Sequence, residues 1–319
     1  MSRKKRNLGQ YYTEISPFNL TPFQEWINKI PQEQKQIIIE PFAGSCNIPC
    51  FLNQYKFDCF DIDPPENTNR YIVHKIDSIE NYPKGYCIAI TNPPYLGKSS
   101  ASRRHLEYKY PEYEDLYFKC LEVMLDNTDY VAAIIPDSFI TSGRFTERLD
   151  TAISLSCPMF NDTDCPVCLA LFNSQKTDDF KYYIMNVFCG TYSTLKLSDV
   201  PKVQDFGWEF NNENGKIGLV CIDNTIGPSI HFIPGEDIKP ESIKISSRAL
   251  TRIQPTHDVY DIDQLIKKSN DILYEFRNDT YDLFLTSFKG LRRDGKYRRR
   301  ITFEQARRIL NFAESQNKR

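Results

Sequence analysis

Short, mostly apolar runs recur through the first 172 residues of the chain, and segments with helical spacing lie between some of them. The runs cover residues 35–39, 57–60, 87–91, 130–135 and 165–172. Such runs are typical of buried strands in a parallel sheet. Helices are predicted after Thr21, where Pro22 suits a first helical turn, and over residues 115–125. Strands that alternate with helices predict an α/β domain with a mostly parallel sheet.

The pattern changes in the last third of the chain. Residues 208–240 contain short β-like runs among Gly, Asn and Pro, residues 261–278 have helical spacing, and a basic helical stretch is expected to end the chain. We therefore predict a first domain over residues 1–190 and a smaller, mixed α+β domain over residues 191–319.

Polar residues stand where the predicted strands end. Glu40, Asp61, Asn92 and Asp137 each follow an apolar run. Ligands of open α/β sheets bind beyond the carboxyl ends of the strands, so we expect these four side chains to line one rim. Two prolines follow Asn92 and stop its strand because neither has a backbone N–H, which holds the Asn92 amide at the strand end.

The acidic residues suit a nucleoside ligand. Gly44 permits a tight turn and a close backbone approach after the first strand. Asp61, at the end of the second strand, could accept hydrogen bonds from two ribose hydroxyls. Asp77, in the next loop, could accept one from an adenine amino group.

Taken in order, these motifs resemble those of the S-adenosylmethionine-dependent amino-methyltransferases of DNA, specifically the gamma-class adenine-N6 enzymes of type II restriction-modification systems. Residues 8–13 (LGQYYT) resemble the N-terminal cofactor motif, residues 40–45 (EPFAGS) the first cofactor motif and residues 92–95 (NPPY) the catalytic tetrad. Residues 134–138 (IIPDS) resemble a later pocket motif. The resemblance covers residues 8 to about 173. It implies a Rossmann-like methyltransferase domain followed by a target-recognition domain.

The resemblance also implies roles for individual residues. S-adenosylmethionine would be the cofactor, and its site is expected to include Gln10, Tyr11, Tyr12, Thr13, Glu40, Pro41, Phe42, Ala43, Gly44, Asp61, Ile62, Asp77 and Asn92. The catalytic residues would be Asn92, Pro93, Pro94 and Tyr95. Tyr95 and Phe172 would form two aromatic walls around a base flipped out of duplex DNA.

The charge of the chain is unevenly distributed. The net charge is −2, but residues 286–319 contain eleven Lys/Arg and three Asp/Glu, which is +8 and leaves −10 for residues 1–285. This asymmetry indicates a polyanionic partner. The residues expected to contact DNA phosphates are Lys289, Arg292, Arg293, Lys296, Arg298, Arg299 and Arg300.

Several alternatives remain open at this stage. Cytosine-N4 methylation uses the same amine chemistry, and protein-glutamine and RNA methyltransferases also carry NPPY tetrads. The alternative in which the protein is not an enzyme is a DNA-binding protein that retains a vestigial cofactor-binding fold. Cys165 and Cys168 have CxxC spacing without a second pair, so no metal site is expected. We further expect a cytoplasmic protein of prokaryotic or viral origin, without membrane spans, that acts as a monomer on a short specific DNA sequence and is paired with a restriction endonuclease.

Overall fold

The chain divides into two compact units. The computed structural model describes residues 11, 13–157, 159–160, 163–243 and 248–317. The first unit is Met1–Tyr192 and the second is Ser193–Arg319, which places the division two residues after the expected one. Within the described residues, every helix is too short or too polar to cross a membrane.

A nine-stranded sheet forms the centre of the first unit, in the order β3-β2-β1-β4-β5-β7-β6-β8-β9. Strands β1 to β5 pair in parallel, whereas β7 is antiparallel to both β5 and β6. The α/β class with a mostly parallel sheet is therefore confirmed. The strands are β1 (Ile38–Glu40), β2 (Phe57–Asp61), β3 (Val73–Lys75), β4 (Ile88–Thr91), β5 (Tyr130–Pro136), β6 (Leu149–Ser154), β7 (Val167–Phe172), β8 (Lys181–Ile184) and β9 (Val187–Thr191).

Helices of moderate length accompany this sheet: α1 (Thr21–Lys29), α2 (Asn47–Phe51), α3 (Lys98–Arg103) and α4 (Leu116–Asn127). A further helix, α5 (Tyr192–Leu197), spans the division between the units. Pro22 lies in the first turn of α1 as expected, and the apolar side of α1, including Phe23 and Trp26, is buried. Asp115 caps α4 by accepting a hydrogen bond from the backbone N–H of Tyr117.

The strand order reverses between β1 and β4. Strand β1 pairs with β2 on one side and with β4 on the other, all in parallel. The connections from these strands therefore leave in opposite directions and open a crevice at their carboxyl ends, where open α/β sheets bind ligands. Glu40, Asp61 and Asn92 stand at or directly after the ends of β1, β2 and β4.

The second unit is mixed α+β, as predicted. It contains a four-stranded antiparallel sheet in the order β10-β13-β11-β12 and a separate hairpin, β14-β15. Its core joins the sheet to both helices through residues such as Leu219, Ile253 and Leu265. The elements are β10 (Trp208–Phe210), β11 (Ile217–Val220), β12 (His231–Pro234), β13 (Leu250–Pro255), α6 (Ile262–Asp279), β14 (Thr286–Leu291), β15 (Tyr297–Arg300) and α7 (Phe303–Asn317).

Candidate active site

A cavity of about 360 Å³ opens at the carboxyl ends of the central strands. A smaller recess of about 20 Å³ lies beside it, with room for one or two water-sized groups. Asp61 and Asp77 line the main cavity, Thr13 and Glu40 line the recess, and Asn92 lines both. The main cavity falls within the size range of small-molecule sites. Of the residues expected to bind cofactor, those on one or both walls are Tyr11, Thr13, Glu40, Phe42, Ala43, Gly44, Asp61, Ile62, Asp77 and Asn92.

The turn after β1 and the end of β2 are tied together through Asp61. The backbone N–H of Gly44 donates to Oδ2 of Asp61 at 2.9 Å, and that of Asp63 donates to Oδ1 at 2.8 Å. Gly44 has φ of +48°, in the left-handed region that favours glycine. Burial raises the pKa of Asp61, and the two backbone hydrogen bonds offset part of that increase. Each carboxylate oxygen retains a lone pair for a ligand hydroxyl.

Glu40 is a buried carboxyl group with an unsatisfied oxygen. Its side chain is 2% exposed, and Oε2 has no hydrogen-bond partner among the described residues. Burial raises the pKa of Glu40 well above its usual range, and the nearby Cys46 and Asp61 raise it further. Leaving such a group unpaired is costly, so the recess is suited to a cationic or hydrogen-donating ligand group.

The orientation of the Asn92 amide is fixed by its neighbours. Its Nδ2 donates to the backbone carbonyl of Tyr11 at 2.6 Å and to Oγ1 of Thr13 at 3.2 Å. Because a backbone carbonyl can only accept, the nitrogen must face Tyr11, and Oδ1 faces the other way. Oδ1 accepts from the hydroxyl of Tyr95 and has a second lone pair for another donor.

Tyr95 lies within an aromatic group at the rim. Its side chain is 7% exposed, and its hydroxyl also contacts the carbonyl of Ile134. The ring of Tyr11 stacks on it, with centroids 5.7 Å apart and planes at 26°, while Phe160 and Tyr117 approach edge-on at 6.2 and 6.3 Å. A base can therefore stack on this face of Tyr95 only after Tyr11 has moved away.

The prediction that Phe172 forms a second aromatic wall is wrong. Phe172 is fully buried, contacts Phe139 and pairs with Val131 at the start of β5. Because β7 runs antiparallel to β5, its last residue lies at the edge of the sheet opposite to the cavity. Phe160, whose ring centroid is 6.2 Å from that of Tyr95 and 5.9 Å from that of Tyr11, is an aromatic neighbour that the motifs did not indicate.

Asp137 also departs from expectation. It follows β5, but its Oδ1 accepts a hydrogen bond from Oγ of Ser154 on β6, and it lines neither cavity. The side chain is thus used to join two strand ends. Pro41, Pro93 and Tyr95 are likewise absent from both walls, whereas Pro94 lines the main cavity. Gln10 and Tyr12 lie outside the described residues.

One wall of the main cavity was missed by the sequence analysis. It is formed by residues 106–110, which precede α4, together with Leu96 and Leu116. The hydroxyl of Tyr108 is buried without a hydrogen-bond partner among the described residues, whereas that of Tyr110 donates to Glu80 at 2.6 Å. Burial raises the pKa of Tyr108. The only sequence signal for this wall was a pair of tyrosines, separated by one residue, in a polar loop. No spacing rule connects such a pair to a ligand site.

The basic run of residues 289–300 forms a hairpin, and part of the phosphate-contact prediction is wrong. Arg292 and Arg299 are 4% and 5% exposed, which removes them from any surface contact. Lys289, Arg293 and Lys296 are exposed, and Arg298 and Arg300 are half-buried. An arginine buried in a protein needs acidic or carbonyl partners, and for Arg292 these are acidic residues of the same unit.

Those partners form a buried ion network centred on Asp223. Its carboxylate, fully buried, accepts from both Nη atoms of Arg277 at 2.8–2.9 Å and from Nη1 of Arg292 at 2.9 Å. Asp282 pairs with Nε of Arg277 at 2.7 Å, and Asp294 pairs with Arg292 at 2.9 Å. Burial alone would raise the pKa of Asp223, but the hydrogen bonds from Arg277, the Ser229 amide and Arg292 lower it to about 2. The network fixes the hairpin to α6.

No protein-family model and no curated protein matches this sequence. Comparison with solved structures found a type I restriction-modification methyltransferase subunit from Streptococcus thermophilus, with TM-score 0.38, 15% identity, and coverage of 55% of this chain and 47% of that one. It also found the DrdV–DNA complex (TM-score 0.42, 14% identity, 58% and 28% coverage) and a putative class I S-adenosylmethionine-dependent methyltransferase from Listeria monocytogenes (0.35, 15%, 48% and 58%). The matches span about half of those chains or less, apart from the last. With likenesses this low, function has to be inferred from the site itself.

Proposed function

We propose that this chain is an S-adenosylmethionine-dependent DNA methyltransferase that modifies N6 of an adenine in duplex DNA. The observation that carries the proposal is the convergence of Glu40, Asp61, Asp77 and Asn92 on one cavity and its recess at the reversal point of the sheet. The four residues come from separate motifs, and only the tertiary fold brings them together.

The polar groups of the cavity suit the parts of the proposed cofactor. The free lone pairs of Asp61 would accept from ribose hydroxyls, and Asp77 would accept from the adenine amino group. The unsatisfied oxygen of Glu40 would face the ammonium group in the recess. When bound, S-adenosylmethionine supplies an electrophilic methyl group on a sulfonium.

Asn92 would act by positioning the target amine. An exocyclic amine is a weak nucleophile because its lone pair is delocalised into the ring. Oδ1 of Asn92 and the carbonyl of Pro93 would accept its two N–H groups and turn the lone pair toward the methyl group. The hydrogen bonds from Asn92 to Tyr11 and Thr13 support this role, because they set the amide before substrate arrives. As the N–CH3 bond formed, the S–CH3 bond would break and the sulfur would keep the electron pair as a neutral thioether. The methylated nitrogen would carry a positive charge and could lose its proton to water without a strong base.

The target base must leave the duplex to reach this rim. In the proposed complex only the ring of Tyr11 withdraws, its backbone carbonyl keeps the hydrogen bond to Asn92, and the base takes the place of the ring on Tyr95, with Phe160 at the edge. Stacking on an aromatic ring stabilises a flipped base by about 1–3 kcal/mol, which offsets part of the cost of unstacking.

The test is methyl transfer from tritiated S-adenosylmethionine to duplex DNA, RNA and protein. Asn92→Ala should lower the rate of DNA labelling at saturating cofactor by at least about a hundredfold. Asn53→Ala, at an exposed asparagine outside both cavities, is the matched control and should retain activity. Exclusive labelling of protein or RNA contradicts the proposal. Labelling at N4 of cytosine instead of N6 of adenine would identify cytosine as the target base.

We also propose that the enzyme recognises a short DNA sequence and protects it from a cognate restriction endonuclease. Long-read sequencing of DNA from cells that express the protein should report one methylated motif. Methylation scattered without sequence context contradicts the recognition of a short site.

A further inference from the structure

Two exposed loops of the second unit are joined into one structure. Residues 224–229, between β11 and β12, and residues 293–296, the turn of the β14-β15 hairpin, together are called the two-loop tip. The backbone N–H of Arg293 donates to the carbonyl of Thr225 at 2.9 Å, and Nε of Arg298 donates to the carbonyl of Asp223 at 2.6 Å. The loops are 64 residues or more apart in the chain, so neither the pattern nor the charge of the sequence indicates that they meet.

The tip is held in one conformation from within. Oδ1 of Asn224 accepts from the N–H groups of Ile226 at 2.8 Å and Gly227 at 3.2 Å, and Oγ of Ser229 accepts from Asn224 N–H at 2.7 Å. In the hairpin turn, Gly295 has φ of +77°, which suits its missing side chain. The buried carboxylate of Asp223 lies at the base of both loops and accepts from Ser229 and Arg292. A surface fixed in this way loses little entropy when it binds.

The chemistry of the tip is apolar and cationic. Ile226 is 62% exposed although it is β-branched and strongly hydrophobic. Arg293 and Lys296 are exposed in the adjoining turn, and the carboxylate of Asp294 between them is paired with Arg292 at 2.9 Å. Residues 224–229 carry no charge. An apolar side chain flanked by cations matches duplex DNA, in which phosphates border grooves that admit apolar wedges such as isoleucine.

We propose that the two-loop tip is a DNA-recognition element in which Ile226 enters a groove and contacts the bases while Arg293 and Lys296 bind the flanking phosphates. The inference rests on the proposed function and deepens it by naming the residues that contact the duplex. It also assigns different tasks to the two loops: phosphate contacts give affinity for any sequence, and the apolar contact favours the recognised one.

The experiment measures binding of the full chain to two duplexes at several salt concentrations. One duplex contains the sequence motif that the enzyme methylates, in unmethylated form, and the other lacks the motif. The double variant Arg293→Ala/Lys296→Ala should bind both duplexes more weakly, and the slope of log affinity against log salt should fall by about two. Ile226→Ala should weaken binding to the motif about tenfold, with little effect on the other duplex and none on the slope. Lys267→Ala, at an exposed lysine on α6, is the control for a lost surface charge.

The possible outcomes distinguish failure of the tip proposal from failure of the proposed function. Urea unfolding followed by Trp208 fluorescence, in a Trp26→Phe background, checks that the second unit of each variant remains folded. If the wild-type protein labels DNA but the tip variants bind like Lys267→Ala, the tip proposal fails and the proposed function stands. If the wild-type protein labels no DNA, both fail. Tighter binding of wild-type protein to RNA than to the duplex, with the same loss in the double variant, also overturns the assignment to duplex DNA.

Discussion

Glu40 and Tyr108 each present to the candidate active site a buried polar atom that has no hydrogen-bond partner in the part of the chain that the structure describes. Native proteins keep few such atoms, because each costs about 1–3 kcal/mol relative to a satisfied group. Their position on the walls of the cavities gives a reason for their retention, since a bound ligand can supply the missing partner. The same atoms therefore lower the stability of the free protein and raise its affinity for ligand.

For Glu40 the two effects can be separated with Glu40→Gln. The raised pKa means that the folded state holds its proton more tightly than the unfolded chain, so the ionised form destabilises the fold at neutral pH, and stability is regained as pH falls through the folded pKa. Removing the charge should raise the unfolding temperature of the free protein by a few degrees at pH 7. Affinity for S-adenosylmethionine should fall about tenfold or more, because a charge-assisted hydrogen bond is lost.

Scanning calorimetry and titration calorimetry measure the two changes. Glu25→Gln, at an exposed glutamate of α1, is the control and should alter neither. A Glu40→Gln variant that binds the cofactor as tightly as wild type would exclude Glu40 from the ammonium site.

For Tyr108 the matched comparison is with Tyr110. Tyr108→Phe should weaken S-adenosylmethionine binding about three- to tenfold, because a hydroxyl available to the ligand is removed. Tyr110→Phe removes a hydroxyl that already donates to Glu80, so cofactor affinity should change less. Equal affinities for the two variants, measured by titration calorimetry, would show that the Tyr108 hydroxyl has no ligand partner.

At the scale of elements, the basic hairpin shows how charge can serve two purposes. Arg292 and Arg299 point into the unit, where Asp223 pairs with Arg292 and accepts from the backbone N–H of Arg299, while Lys289, Arg293 and Lys296 face solvent. Within β15, alternation of side chains buries Arg299 and leaves Arg298 and Arg300 half-buried. In the turn that precedes β15, the ion pairs with Asp223 and Asp294 hold Arg292 inside the unit. The inward charges hold the outward charges in place.

Asp223→Asn should therefore destabilise the second unit by about 3–5 kcal/mol, because it leaves Arg277 and Arg292 buried with too little negative charge. The lowered pKa of Asp223 means that its contribution is present above about pH 4 and is lost as pH falls toward about 2. Urea titrations followed by Trp208 fluorescence in a Trp26→Phe background measure the loss at pH 7. Asp294→Asn is the control, since its side chain is 40% exposed, and it should cost about 1 kcal/mol or less.

At the scale of the whole molecule, the pKa values of buried acidic residues shift in opposite directions in the two units. In the first unit burial raises the pKa of Glu40, Asp61 and Asp115, the last to about 6. In the second unit ion pairs lower the pKa of Asp223, which is buried, and of Asp294, which is exposed. In the first unit Glu122 and Glu147 oppose the trend, because ion pairs with Lys119 and Lys176 lower their pKa. The first pair is partly exposed and the second is exposed, so solvent screens both.

We expect the units to respond differently to acid. As pH falls from about 7 to about 5 the first unit should gain stability, because its raised acids take up protons in the folded state. The second unit should change little until pH approaches about 4 and then lose stability. The chain has two tryptophans, Trp26 in the first unit and Trp208 in the second, so Trp208→Phe and Trp26→Phe each leave one reporter.

Urea midpoints of these two variants at pH 7, 5 and 3.5 provide the measurement. A first-unit midpoint that falls between pH 7 and 5, or one shared transition for both reporters, would contradict the expectation.

The sequence predicts some residues of the candidate site correctly and others incorrectly. The motifs located Glu40, Gly44, Asp61, Asp77 and Asn92 because short-range signals mark strand ends and turns. Phe172 and Asp137 were misplaced because strand direction and side-chain partners depend on pairing with strands distant in sequence. Strand β6 was missed since Asp150 and Thr151 interrupt its apolar pattern, although Thr151 is buried in the sheet.

The sequence by itself therefore determined the α/β class, the mixed α+β second unit and the polar residues of the rim, since local patterning and backbone chemistry act between neighbours in the chain. Only the tertiary structure decided which aromatic residue stands beside Tyr95, which arginines face solvent and which loops meet at the tip. Those features follow from contacts between residues far apart in the chain, and burial there reverses what charge or side-chain type alone would indicate.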